Sequence, residues 1–406
     1  MTLAARRTMV GALVLLYALA WAIGGALWTS PPSDLDYYLL PASRIALDGH
    51  PLLVYGVRVQ GFSPNDNGPV TLVPLTTVAA VASWLGWLDN EQLRRAIIAG
   101  AFSIFSLLMA REAVMAIDRL RGTRLAGRSR VLTYAVFAAS PTLWQGVLGY
   151  GHIDVPITVW LILYGVRSLT SNQPVKAGFS FGVALLTRSI AALQLIPLAA
   201  LLLARRQWRA AAWLGGTAAV TVSLGLLPFV LADRSNVAYS LITNRANVPM
   251  VRGSLWQLAR GTPYESIAQR NDLLFIVATA TVLSVIIIRA RPDLAPGSRD
   301  FYGLLALSAL TLPLLTKSVW PYYFVDAYML GAIWWLGQPG WLITGRRWLG
   351  ALLVALITVV ALVPELGIGN TGPTPRLWEG VGMGVALLVL MILLANRLQR
   401  APLEIS

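Results

Sequence analysis

The chain has 406 residues, 56% of them hydrophobic and only 12% charged, with a formal charge of +14 and no cysteine. So apolar a composition excludes a soluble globular domain and points to an integral membrane protein. The absence of cysteine excludes a disulfide framework and thiolate chemistry. The positive charge does not indicate nucleic acid, because only Lys176 and Lys317 are lysines and the arginines cluster in short stretches between apolar segments. That is the charge pattern of loops on the inner face of a membrane, not of a phosphate-tracking groove.

Runs of about 18 or more apolar residues recur along the chain, each long enough to cross a hydrocarbon core of about 30 Å as a helix. The predicted segments are 8–28, 69–88, 94–117, 131–149, 154–170, 177–204, 210–231, 271–289, 301–316, 322–338, 348–366 and 376–396. The first lacks a small-residue cleavage site and reads as a retained signal anchor. The sixth carries Thr187-Arg188-Ser189 at its middle and Pro197 beyond, which predicts two short helices meeting at a polar turn. Counted so, the fold is an all-α polytopic bundle of about twelve crossings with both termini inside.

Arg6 and Arg7, Arg111 to Arg130, Arg205 to Arg209, Arg289 to Arg299, Arg346 with Arg347, and Arg397 with Arg400 are expected to face the cytoplasm. Two full crossings between residue 68 and the Arg111 to Arg130 cluster would put that cluster outside. The stretch 69–88, with Pro69 and Pro74, or its neighbour is therefore expected to be a partial or interfacial span. The polar segments 30–68, 151–154, the Arg188 turn, 233–270 and 316–323 then share the outer face of a multi-pass protein of the cell membrane.

In the loop 30–68, Leu35, Leu39, Ala42, Ile45 and Ala46 are spaced as one face of a helix lying along the membrane surface, which Gly49 stops. A carboxylate at the start of such a helix is kept ionised by the dipole and suits a general base. Asp34 stands there, with Asp36 as the alternative. The competing structural reading makes Ser33 or Asp34 an N-cap and Asp36 a first-turn charge. Asp48 before Gly49 reads as turn chemistry. Two carboxylates at i and i+2 invite a shared divalent ion, but on a helix they point to different sides and no third carboxylate stands at ligand spacing. No cofactor is implied, and a divalent metal on this pair is kept as the minor alternative.

The two histidines, His50 and His152, fall in outer segments, each close to an aspartate. Asp154, at the mouth of a span, needs a partner such as Arg188, His152 or a ligand; its structural alternative is a helix start with Pro156 in the first turn. Arg188 is placed to meet an anion such as a lipid phosphate. Lys317 and the rings of Trp320, Tyr322 and Tyr323 lie at an interface where aromatic anchoring alone explains the rings. Arg245, in the expected long outer loop 233–270, suits phosphate or sugar hydroxyls.

Three segments in order carry a resemblance. The loop runs "DLDYY" (Asp34 to Tyr38) and then "LDGHPLLVYG"; "GHIDVPITVWLILYGV" follows, and then "AGFSFGVALLTRSIAALQLIP". The arrangement resembles the GT-C superfamily of membrane glycosyltransferases, and in particular bacterial, actinobacterial, polyprenol-phosphate-mannose-dependent mannosyltransferases. His152 stands where that family often has glutamine, and Arg188 where it has lysine. The resemblance covers about residues 8–205, giving a GT-C-like module 1–205 with its outer loop 30–68 and a second set of helices, 206–406, with the outer stretch 233–270.

The resemblance implies an inverting transfer of a sugar, mannose first, from a polyprenyl-phosphate donor to a glycolipid or glycan acceptor at the extracytoplasmic face. Asp34 would be the base; Arg188, Lys317 and Arg245 would serve the donor phosphate; and Tyr38, His50, His152, Asp154 and Tyr322 would contact substrate. The family's later outer-loop histidine is missing, and Lys317 is the expected substitute. The alternative is a transporter or flippase of a lipid-linked saccharide, which calls for charges deep in several helices and pseudo-symmetric halves.

Overall fold

The computed structural model describes residues 3–27, 33–56, 65, 67–248, 250, 254–338, 348–362 and 377–400. Among them every regular element is helical. In chain order the α-helices, with two of the π turns, are α1 (Leu3–Leu27), a π turn (Leu35–Leu39) running into α2 (Leu40–Leu47), α3 (Leu72–Trp84), α4 (Glu91–Arg121), α5 (Gly127–Ala138), α6 (Pro141–Trp144) with a π turn (Gln145–Gly149), and α7 (Asp154–Thr170). Then come α8 (Pro174–Thr187), α9 (Ala192–Ala204), α10 (Trp208–Ala238), α11 (Asn244–Asn247), α12 (Glu265–Ala290), α13 (Arg299–Leu315), α14 (Val325–Leu336), α15 (Trp348–Leu362) and α16 (Leu377–Gln399). The end of the expected span 348–366, the first residue of the span 376–396, Arg346 with Arg347, and parts of the loop 30–68 lie outside the described residues, as do the side chains of Arg6 and Arg7.

Among the described residues five helices are long and apolar enough to cross a membrane: Thr8–Leu27, Glu91–Arg121, Gly127–Gly149, Trp208–Thr243 and Glu265–Ala290. Helices of this kind mark a membrane protein. The apolar runs counted in the sequence include shorter helices as well. α7 and α13 have 17 residues each, about 25 Å at about 1.5 Å per residue, and α8 and α9 are shorter still. α13 and α14 are buried almost throughout, so their apolarity is explained by the bundle interior as well as by lipid.

Local chemistry sets the helix boundaries. Asn90 caps α4 by accepting from the Leu93 N–H, and Gly122 at φ +65° ends it. Arg188 leaves the helical region (φ −145°, ψ 126°), so α8 and α9 meet there, as the polar triad predicts, while Pro197 is accommodated within α9. The helix expected along 34–47 is present, and Gly49 at φ +90° terminates it. The stretch 233–270, expected as a loop, is largely helical: α10 continues through a kink at Asp233, whose carboxylate takes the Asn236 N–H and amide, and α11 and the start of α12 follow.

α3 has 13 residues, about 20 Å at about 1.5 Å per residue, short of a hydrocarbon core of about 30 Å. At its start the Val70 N–H donates to the Leu186 carbonyl, beside the Arg188 turn. A Cβ on Gly68 would lie 1.8 Å from that carbonyl oxygen, so only glycine permits the approach. After α3, Asp89 pairs with Arg44 of α2 at 3.0 Å. Of the two segments between which a partial span is expected, 69–88 thus holds the short helix and 94–117 the long one.

Candidate functional site

The turn Gly151-His152-Ile153-Asp154 joins the π turn after α6 to α7 and holds the start of the 33–39 segment against it. Gly151 is at φ +74°, and a Cβ there would stand 2.6 Å from both the Leu35 nitrogen and the Ser33 hydroxyl oxygen. The Asp34 N–H donates to the Tyr150 carbonyl at 3.0 Å. The Asp34 side chain makes no capping bond to its own helix. It turns instead to His152, whose Nε2 is 2.7 Å from Asp34 Oδ2.

From there a chain of charges runs inward. His152 Nδ1 is 3.1 Å from Asp154 Oδ1, Arg188 Nε is 2.9 Å from Asp154 Oδ2, and Arg188 Nη1 reaches to 3.8 Å from Asp326 Oδ1. Asp154, Arg188 and Asp326 are buried, and Asp34, with 30% of its side chain exposed, is the accessible end. Both imidazole nitrogens face carboxylate oxygens, and only the doubly protonated ring carries N–H groups on both. Burial disfavours that cation, but the charges of Asp154 and Asp34 outweigh it and raise the His152 pKa to about 9. Tyr322 covers the ring, with centroids 3.5 Å apart, and the Arg188 guanidinium lies 5.9 Å from the Tyr322 centroid.

Asp36 faces elsewhere. Its carboxylate accepts from the Ser33 N–H and hydroxyl and pairs at 3.0 Å with both Arg94 and Arg95 at the start of α4. Burial raises this carboxyl, but the Ser33 N–H and the Arg95 charge prevail and hold it below the ordinary carboxylate range. The two acids of "DLD" therefore do not converge: one joins the His152 chain, and the other locks the turn to α4. Among the described residues no group of three or more His, Asp or Glu is arranged to hold a metal ion. A cleft behind the turn is lined by Ser33, Leu35, Arg95, Leu148, Gly151 and Ile153.

Lys317 and Arg245 form a second cluster. Arg245 Nη2 is 2.7 Å from Asp272 Oδ2 and donates to the Thr316 hydroxyl at 2.8 Å. The Lys317 ammonium is fully buried and donates to the carbonyls of Arg245 and Gln269 at 2.5 Å each. Burial pushes its pKa down to about 8 in spite of Asp272. Tyr322 and Tyr323, with ring centroids 4.7 Å apart, link the clusters, since Tyr323 faces the Arg245 guanidinium.

His50 is exposed, its backbone N–H closing the turn on the Ile45 carbonyl, and it is not part of either cluster. Tyr38 is half-buried on the π turn. Sequence reasoning passed over Asp272 and Asp326; Asp326 lies inside the apolar run "VDAYMLGAIWW", and only its neighbour Arg188 in space marks it. No protein-family model matches the chain, and a search of curated proteins finds none similar to it.

Proposed function

We propose that the chain is a GT-C-type membrane glycosyltransferase of about twelve crossings, working at the extracytoplasmic face of the cell membrane. It would move a sugar, mannose in our reading, from a polyprenyl-phosphate donor to a glycolipid or glycan acceptor. One observation carries the reading: Asp34 is the accessible end of an otherwise buried chain of charges. A general base must be reachable and oriented, and His152 holds one Asp34 oxygen while a carboxylate keeps further lone pairs for an acceptor hydroxyl.

In the step itself the acceptor oxygen attacks the anomeric carbon from the face opposite the phosphate, and configuration inverts. Its proton passes to Asp34, and the bond from carbon to phosphate oxygen breaks with its electron pair on polyprenyl phosphate. Charge developing on that leaving group needs a cation. Arg188 is already matched by Asp154 and approached by Asp326. Arg245 is likewise paired, with Asp272, but its side chain is 30% exposed where Arg188 is 5% exposed, so it is the more accessible positive charge. Arg188, His152 and Asp154 orient the base, and Tyr322 seats the imidazole.

The test is to incubate purified protein with a panel of polyprenyl-phosphate sugars and an acceptor extract and follow release of polyprenyl phosphate. Asp34→Asn is expected to keep the fold and lower turnover by about 10²-fold or more. Asp36→Asn is expected to lower thermal stability instead, by unlocking the turn from α4. Full turnover in Asp34→Asn would remove the base assignment. Transbilayer movement of an intact lipid-linked saccharide without release would favour the flippase.

A further inference from the structure

We propose that Tyr150 and Trp320 form the wall against which the sugar ring of the donor lies, beside Asp34; the proposal rests on the glycosyltransferase reading above. The plain account of an aromatic residue near a membrane surface is an anchor among headgroups. Anchors stand outward, as Trp84, Trp208 and Trp213 do here at 84%, 62% and 60% exposure. Tyr150 and Trp320 differ. They are half-buried and tilted against each other, with centroids 6.1 Å apart at 60°. The Trp320 indole is fixed by donating to the buried Ser318 hydroxyl at 2.9 Å.

Their position points to a ligand. The Tyr150 carbonyl receives the Asp34 N–H, so the Tyr150 backbone is tied to the turn that carries the exposed carboxylate. On the other side the aromatic row continues from Tyr150 to Tyr322, 5.7 Å away, and through Tyr323 to Arg245. A base at one end of this aromatic row, a cation at the other, and the Tyr150 and Trp320 rings beside the base match a glycosyl phosphate. Such a ligand has a face of C–H groups that packs on aromatic rings, hydroxyls at its edge and an anion at one end.

The experiment measures equilibrium binding to the full chain in detergent, in the Asp34→Asn background so that no turnover intervenes. The probes are radiolabelled polyprenyl-phosphate mannose, glucose and arabinose, and polyprenyl phosphate without sugar. Trp320→Leu, which keeps apolar volume but removes the π face, and Trp320→Ala are expected to weaken the best glycosylated probe by about tenfold. Binding of bare polyprenyl phosphate should be unchanged, and Trp320→Phe should retain most of the affinity.

Equal weakening of both probes, or of neither, in a variant whose thermal midpoint matches the parent would overturn the wall, whatever the turnover of Asp34→Asn. Full turnover in Asp34→Asn would remove the base while leaving the binding difference to decide the wall. Saturable binding of none of the glycosylated probes would remove both.

Discussion

His152 has a carboxylate oxygen at each ring nitrogen, 2.7 Å from Nε2 and 3.1 Å from Nδ1, and a neutral tautomer leaves one of those contacts without its proton. Its folded pKa is raised to about 9 from an ordinary 6.5. Between those values the folded chain holds a proton that the unfolded chain has lost, so stability falls as pH rises through this window. Below about 6.5 the contribution is fully present. The thermal midpoint of the parent should therefore exceed that of His152→Gln by most in mildly acidic buffer. The gap should close as the pH passes about 9. A gap that does not change across this range would show that the ring is not held as a cation. Turnover should decline over the same alkaline limb, because the ion that orients Asp34 is lost.

At the scale of the element, the glycine of Gly-His-Ile-Asp does more than turn the chain. Gly151→Ala combines a left-handed backbone with a Cβ driven into the Leu35 nitrogen and the Ser33 hydroxyl. Gly86→Ala carries a similar φ of +72° but meets nothing within 4 Å. The backbone term alone costs about 1–2 kcal/mol, so Gly86→Ala should lower stability by about that much and leave turnover intact. Gly151→Ala should lower turnover more than stability, because it pushes the Asp34 turn away from His152. Equal turnover in the two variants would mean that this close approach does not position the base. Much of this element-level pattern was legible in the sequence. Apolar runs located most of the long helices, the Thr187-Arg188-Ser189 triad marked the break between α8 and α9, and Gly49 marked a stop.

What escaped the sequence depended on distant neighbours. Asp34 and Asp36 are chemically alike and two residues apart, and what separates them is Arg94 and Arg95 at one side and His152 at the other. Asp326 stands in an apolar run, and only the fold brings Arg188 near it. The stretch 233–270 looked like a loop because its many polar side chains suit solvent, yet local helical geometry and contacts such as that of Arg245 with Asp272 order it.

The whole molecule has two chemically distinct ends joined by helices. α7 runs from Asp154, in the Asp34 cluster, to Thr170, whose hydroxyl receives Arg119 Nη1. At that second end Arg119, Arg124, Arg128, Lys176 and Arg206 are exposed, and Arg205 ties the end of α9 to the carbonyls of Pro292 and Asp293. Between the ends α1 and α10 turn apolar side chains outward, such as Leu15 at 71% and Leu231 at 77% exposure. Lipid is the solvent that accepts such a surface. The excess of basic residues at one end predicts that it faces the cytoplasm and that the Asp34 end faces outward. Because the chain has no cysteine, single-cysteine variants report this directly. His50 and Ser171 are both exposed, one after α2 and the other after α7. A membrane-impermeant maleimide applied to intact cells should label His50→Cys and should label Ser171→Cys only after permeabilisation. The reverse pattern would place the carboxylate cluster on the cytoplasmic side, where a polyprenyl-phosphate sugar presented at the outer leaflet could not reach it.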